Sequence, residues 1–320
     1  MAFAQQDDNV VTVETTLVRL NVGVVDRDGR PVTNLNKQNF TVYEDDVKQP
    51  IINFEPAPAA FSLILLLDVS GSTRSFRQLM AQAATRFVDA LKPDDRVAVL
   101  AFNQKTEVLT DFTTNRQKIL YAISLITSQS KSGDTMLYKA LNTSLDKLKK
   151  EGQSRKAIVV LTDGIDTELE ADDRRSVGNI NALTNETAVA SIKADQNPKL
   201  GSVLDLAARL GITIYPLALP SGDPAKIPDP SPFQVAKYTA SRARLQVLAN
   251  RTGGSLNAIN RLEDMSKLYI AVAAELQTLY SVDYEPAGGG RKRDGKWRTI
   301  RIEVNQPDLL AKTRPGYFAK

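Results

Sequence analysis

The chain has no histidine and no cysteine among its 320 residues. These absences exclude a Ser-His-Asp or Cys-His nucleophile, a histidine base, thiolate or imidazole zinc sites, haem ligation by either residue, and disulfides. A general acid or base would have to be a carboxylate, lysine or tyrosine. Any metal would have to be held by oxygen. No apolar run approaches the ~20 residues that span a bilayer. There is no G-x-G-x-x-G and no G-K-[ST], so nucleotide binding has no motif behind it.

The remaining composition is that of a folded protein. Hydrophobic residues make up 42% and charged residues 24%, too apolar for disorder. At about 150 residues per domain, the length suggests two domains. The net charge is +4, and Tyr280–Lys320 carries all of it, with nine Lys/Arg against five Asp/Glu. The body of the chain is balanced, which argues against a nucleic-acid partner. In Met1-Ala2-Phe3-Ala4-Gln5, Ala2 and Ala4 match the small-x-small pattern before a signal-peptidase cut. The expectation is an exported protein (periplasm, cell surface or extracellular) with a disordered start over residues 1–10.

Two kinds of pattern divide the rest. Residues 11–55 read as β structure, with Val18, Leu20, Val22 and Val24 at the period of a half-buried strand. Asp26-Arg27-Asp28-Gly29 resembles the start of a calcium loop but lacks the later ligands, and reads as a hairpin turn. Asn39–Tyr43 reads as a further strand and Glu44-Asp45-Asp46 as a turn, and Pro56 and Pro58 mark a linker. From Phe61 the apolar runs become continuous, at 61–67, 97–102, 157–161 and 212–219, as in strands buried on both faces of a parallel sheet. Helical spacing separates them, at roughly 74–91, 115–127, 136–150, 202–210, 242–251 and 262–280. Polar stretches at 166–200 and 221–240 read as loop insertions. β pattern returns at Tyr280–Tyr284 and, after a Gly288-Gly289-Gly290 turn, at Trp297–Val304.

The expected fold is therefore α/β, a doubly wound, mostly parallel sheet flanked by helices and inserted into a small discontinuous β domain. Its expected bounds are 58–279 for the α/β domain and 11–57 plus 280–320 for the β domain.

Ligands of such sheets bind beyond the carboxyl ends of the strands. After Leu67 come Asp68, Ser70 and Ser72, at alternate positions of a loop that Gly71 would help to turn. After Leu161 and Thr162 comes Asp163-Gly164, and Ser132-Gly133-Asp134-Thr135 precedes a helix. Two carboxylates and three hydroxyls form the oxygen shell that a hard divalent cation takes, with water in the open positions. Each hydroxyl taken singly reads better as a helix cap, and only the five residues together favour a site.

This set, Asp68, Ser70, Ser72, Thr135 and Asp163, resembles the metal-ion-dependent adhesion site of von Willebrand factor type A domains, and the resemblance covers about residues 60–280. The flanks resemble those of secreted bacterial proteins carrying a related domain, through Asp294-Gly295-Lys296-Trp297-Arg298 and Arg314-Pro315-Gly316-Tyr317-Phe318. The resemblance implies Mg²⁺ or Mn²⁺ at the rim and a protein partner whose Asp or Glu binds that metal, with Thr135 shifting as ligands exchange. It implies an adhesion or binding module with no catalytic residues. The alternatives are a metal-dependent hydrolase, for which Asp134 and Asp166 are the nearby bases, or a structural envelope subunit whose metal only rigidifies the loops. Two further charge runs remain. The acidic run Asp166, Glu168, Glu170, Asp172, Asp173 reads as a solvated loop, and Arg291-Lys292-Arg293, Lys296, Arg298 and Arg301 as an exposed basic hairpin.

Overall fold

The structure is a computed structural model and describes residues 17–57, 59–128, 133–152, 155–178, 184–259, 261–286 and 293–320. The expected signal-type start, Pro58, Ser132, the Gly288–Gly290 turn and Arg291-Lys292 lie outside the described residues.

In chain order the elements are β1 (Val18–Val25), β2 (Phe40–Glu44), β3 (Val47–Gln49), β4 (Ile51–Glu55), β5 (Ser62–Asp68), α1 (Arg77–Ala90), β6 (Arg96–Phe102), β7 (Thr106–Thr113), α2 (Arg116–Ser124), α3 (Leu137–Lys149) and β8 (Lys156–Thr162). There follow α4 (Thr167–Val177), α5 (Asn185–Ser191), α6 (Pro198–Leu210), β9 (Thr213–Ala218), α7 (Pro232–Thr252), β10 (Asn257–Ala258), α8 (Met265–Thr278), β11 (Tyr280–Tyr284), β12 (Trp297–Val304), β13 (Leu310–Lys312) and β14 (Gly316–Phe318).

Six strands form the central sheet in the order β10-β9-β8-β5-β6-β7. All neighbours are parallel except β6 and β7. β5 lies in the middle and is buried on both faces. Leu63, Leu65 and Leu67 pack with Met80 and Phe87 of α1 and with Tyr269 and Val272 of α8. Ile64 and Leu66 point the other way, into Leu141 and Leu145 of α3, Val203 of α6 and Leu248 of α7. The continuous apolar run follows from that position. An alternating strand would put polar groups against one helical layer.

The remaining strands form two four-stranded antiparallel sheets, β13-β1-β11-β4 and β14-β12-β2-β3. Strands from both ends of the sequence pair directly, Leu20 with Val282 and Val42 with Ile302. Val18, Leu20, Val22, Val24, Phe40, Val42, Tyr280, Val282 and Ile302 share one core between the sheets. Asp45 and Asp46 both take positive φ (48° and 62°) in the tight turn joining β2 to β3. Aspartate tolerates that region better than most residues.

Two of the expected loops are helical. Residues 166–200 hold α4, α5 and the start of α6, and α7 begins at Pro232, ten residues before the expected start at 242. A buried polar residue masks the apolar period of α4: Asp173 forms an ion pair with Arg244 of α7 (Oδ2–Nη1 2.8 Å). The acidic run is correspondingly no solvated loop. Asp166 caps α4 by accepting from the Glu168 and Leu169 amides, Glu170 meets Lys237 at 3.2 Å, and Glu168 pairs with Lys199. β7 carries no clean alternation because it is a half-exposed edge strand with two register shifts.

The antiparallel sheets join the central sheet at the amino ends of its strands, where Arg155 precedes β8. Its guanidinium is fully buried and stacks on the Phe61 ring at 4.1 Å. It donates to the carbonyls of Ala57 (2.6 Å) and Ala59 (2.6 Å) on the incoming crossing, and of Leu276 (3.1 Å) and Leu279 (2.5 Å) on the outgoing one. Burial lowers its pKa to about 10, which still leaves it charged at neutral pH. Arg155→Met strands four inward-facing carbonyls, and breaking a buried charge network of this kind costs about 3–5 kcal/mol. The expected outcome is a thermal midpoint lower by on the order of 10 °C. A midpoint within about 2 °C of the wild type in calorimetry would show that the crossings hold without it.

Candidate metal centre

The opposite, carboxyl edge of the sheet gathers the polar residues. Asp68 is the last residue of β5 and is fully buried. Its Oδ1 accepts from the Ser70 amide (2.9 Å) and its Oδ2 from the Thr162 hydroxyl (2.7 Å), at the end of the adjacent β8. The Ser70 and Ser72 hydroxyls lie 3.1 Å apart, and Ser72 donates to Asp163 Oδ2 at 2.7 Å. Asp163 Oδ1 accepts from the Ile165 amide at 3.0 Å. Ser70 and Asp163 are each 1% exposed, whereas Ser72 is open to solvent and forms the mouth of the site.

Backbone geometry behind the site fixes these positions. The Thr73 hydroxyl donates to the carbonyls of Asp68 (2.8 Å) and Ser70 (3.0 Å). Buried Arg77 donates to those of Val69 (2.5 Å) and Ser70 (3.1 Å). Ser221, from the loop after β9, donates to the Ser72 carbonyl at 3.2 Å. Gly71 does not take the left-handed conformation expected of a turning glycine. Gly164 does, at φ +82°, and a Cβ there would lie 2.8 Å from Leu245 Cδ1.

Thr135 arrives from the loop before α3 and is 6% exposed. Its backbone amide donates to Thr167 Oγ1 (2.9 Å) and its carbonyl accepts from the Thr167 amide (2.8 Å). The next residue, Met136, donates to the carbonyl of Asn103, just past β6. Thr135 thus sits between the carboxyl ends of β6 and β8, the neighbours of β5. Asp68, Ser70, Ser72 and Asp163 form one connected hydrogen-bonded chain. The hydroxyl of Thr135 takes no part in the hydrogen bonds found among the described residues.

Electrostatics set the character of the cluster. Burial, followed by the nearby charge of Asp163, pushes the Asp68 carboxyl up to about 7, although the Ser70 and Thr162 bonds oppose the shift. Two acids crowded in a dry place favour either a proton or a cation between them. The donors are all oxygen, as a hard divalent cation requires. Among the described residues no group of three or more acidic side chains is placed to hold a metal, so hydroxyls would have to complete the shell. Asp166 stands apart, with Oδ1 capping α4 and Oδ2 accepting from the Tyr138 amide at the start of α3 (3.2 Å). Asp134 is exposed.

Thr162, Thr73, Arg77 and Thr167 were not singled out from the sequence. Only Thr162 carried a signal there, as the residue between a buried strand and Asp163-Gly164. In the described part of the basic hairpin, Arg298 meets Asp294 at 2.8 Å, and Arg301 pairs with Glu303 and lies over the Tyr43 ring at 4.0 Å.

No curated protein matches this chain. Several solved structures resemble it at low identity. One is an aerotolerance-related membrane protein from Bacteroides fragilis, 16% identical over 68% of this chain and 98% of that one, with a TM-score of 0.46. Another is the von Willebrand factor domain of a type V pilus tip protein from Porphyromonas gingivalis, 13% identical over 68% and 95%, with a TM-score of 0.47. A third, a von Willebrand factor type A protein from Catenulispora acidiphila, covers 93% of this chain and 74% of its own at 11% identity, with a TM-score of 0.45. The family model of the von Willebrand factor type A domain matches residues 63–165, a span that includes Asp68, Ser70, Ser72, Thr135 and Asp163. That match runs from β5 through the loop after β8, about a third of the chain.

Proposed function

We propose that this protein is a metal-dependent protein-binding module, acting in adhesion or surface assembly. In this reading Asp68, Ser70, Ser72, Thr135 and Asp163 hold one Mg²⁺ or Mn²⁺, and an Asp or Glu of a protein partner supplies a further oxygen. The observation that carries the reading is the pair of buried acids, Asp68 and Asp163, joined through Ser70 and Ser72, of which Ser72 is open to solvent. A bound cation supplies Lewis acidity toward an anionic oxygen. Two carboxylates balance its charge, while the neutral hydroxyls add no further anion to compete with an incoming carboxylate.

The hydrolytic alternative finds less support. Both oxygens of Asp166 are occupied by backbone amides, and Asp134 faces solvent, so neither is held as a base. The resemblance of the flanks to secreted bacterial proteins supports a place outside the cytoplasm. No helix among the described residues is long and apolar enough to cross a membrane.

The first test is calorimetric. The protein is expected to bind one Mn²⁺, and Asp68→Ala to abolish that binding. Unchanged affinity in the variant would remove Asp68 from the site.

The second test is pH. The folded Asp68 carboxyl titrates at about 7, above the ~4 of an unfolded aspartate, so the unfolded chain holds fewer protons between those values. Metal-free stability from this group is therefore highest near pH 4 and is lost as pH rises through 7. Added Mg²⁺ relieves the repulsion, so its gain in thermal midpoint should grow from pH 5 to 7.5. A gain that shrinks over that range would contradict the assignment.

The third test concerns the partner. Capture of a protein from an envelope extract should vanish in EDTA and return with Mg²⁺ or Mn²⁺. It should also fail when the partner's acidic residue becomes the amide. Thr135→Ala should weaken capture more than it weakens metal binding, and Thr135→Ser should be mild. Capture indifferent to chelation and to Thr135→Ala would leave the site a structural clip.

A further inference from the structure

Thr135 is fixed by a residue outside its own loop. Thr167 accepts the Thr135 amide on Oγ1 (2.9 Å) and returns its own amide to the Thr135 carbonyl (2.8 Å). Thr167 is the first residue of α4, one past the capping position. The cap itself is Asp166, which satisfies the Glu168 and Leu169 amides. The Thr167 amide is one of the orphan donors of a helix start, and Thr135 takes it up. The Thr167 hydroxyl oxygen is thus free of α4 and committed to the Thr135 loop. The same short segment carries Asp163, whose carboxylate faces Ser72. Asp166 ties the segment to the start of α3 through the Tyr138 amide. Residues 163–167 therefore set the place of one acid of the site and of the loop that brings Thr135 to it.

We propose that Thr167 is a positioning residue of the metal centre: its reciprocal pair of hydrogen bonds with the Thr135 backbone holds the Thr135 hydroxyl at the rim in the same frame as Asp163. The proposal rests on the reading that Asp68, Thr135 and Asp163 hold a cation. Outer groups that orient ligands typically matter by 10-fold or more in metal affinity. Thr167→Val keeps the shape and the amide but removes the oxygen that accepts the Thr135 amide, whereas Thr167→Ser keeps that oxygen.

The test is Mn²⁺ calorimetry on the full chain, with the metal-free thermal midpoint of each variant measured alongside. Thr167→Val is expected to weaken Mn²⁺ about 10-fold and Thr167→Ser to restore affinity to within about twofold. Adding Thr167→Val to Thr135→Ala should cost nothing further, because the clamp acts only through Thr135. Full additivity of the two, unchanged affinity in Thr167→Val, or a serine variant as weak as the valine one would each overturn the proposal. Should the valine variant fail to fold, Thr167→Ala carries the same comparison. The underlying reading fails separately. If the wild type binds no Mn²⁺, the metal centre falls and the clamp with it. If Asp68→Ala abolishes binding while Thr135→Ala leaves it unchanged, the centre stands and the clamp is refuted.

Discussion

The structure depends on one constraint, the burial of β5 on every side. It pairs with β6 along all seven of its residues and with β8 along six. Helices cover both of its faces, so its middle accepts only aliphatic side chains. The backbone must nevertheless leave the sheet, and its last residue is Asp68. A carboxylate at that point cannot reach bulk water. It takes its hydrogen bonds from Ser70 and Thr162, and its high pKa records that these do not fully replace solvent. The polarity of the rim follows from the dryness of the strand beneath it.

The same sheet separates the two ends of the molecule. Arg155 and the crossings it binds lie where β5 and β8 begin, and Asp68 and Asp163 lie where they end. Seven residues of strand place these groups on the order of 20 Å apart. The antiparallel sheets are fastened along the amino edge by further polar contacts. Asn21 donates to Thr213 Oγ1 at 2.8 Å, Arg314 donates to the Ala208 carbonyl at 2.7 Å, and Arg251 lies 4.2 Å over the Trp297 ring. Asn21 breaks the alternation of β1 for this reason: it is buried against β9 instead of facing water. With the attachment at one edge, the carboxyl edge is left free of these contacts.

Legibility in the sequence followed burial. β5 and β8 could be read because both faces are apolar, and Val18, Leu20, Val22 and Val24 because only one is. Asp68, Ser70, Ser72 and Asp163 could be picked out because each stands directly beyond such a run. α4 stayed hidden because its inward face includes Asp173, whose pairing with Arg244 appears only once the helices are packed, whereas the second half of α7 could be read. The supporting groups were hidden for another reason. Arg77, Thr73 and Thr167 act on backbone atoms, and backbone partners leave no trace in residue identity. Thr167 reaches Thr135 across 32 positions of sequence.

Backbone partners also explain how a site of two acids stays ordered. Asp68 and Asp163 repel each other, and in a mobile loop they would drift apart and recover water. Here the first loop is tied through its own carbonyls by Thr73 and Arg77. The third is turned by Gly164 where Leu245 leaves no room for a side chain. The repulsion therefore remains in the folded state instead of relaxing. A proton on Asp68 relieves it at low pH. As pH rises through about 7 that proton is lost and the repulsion returns. Rigid loops and dry surroundings together hold two acids at a rim where separated carboxylates would recover water.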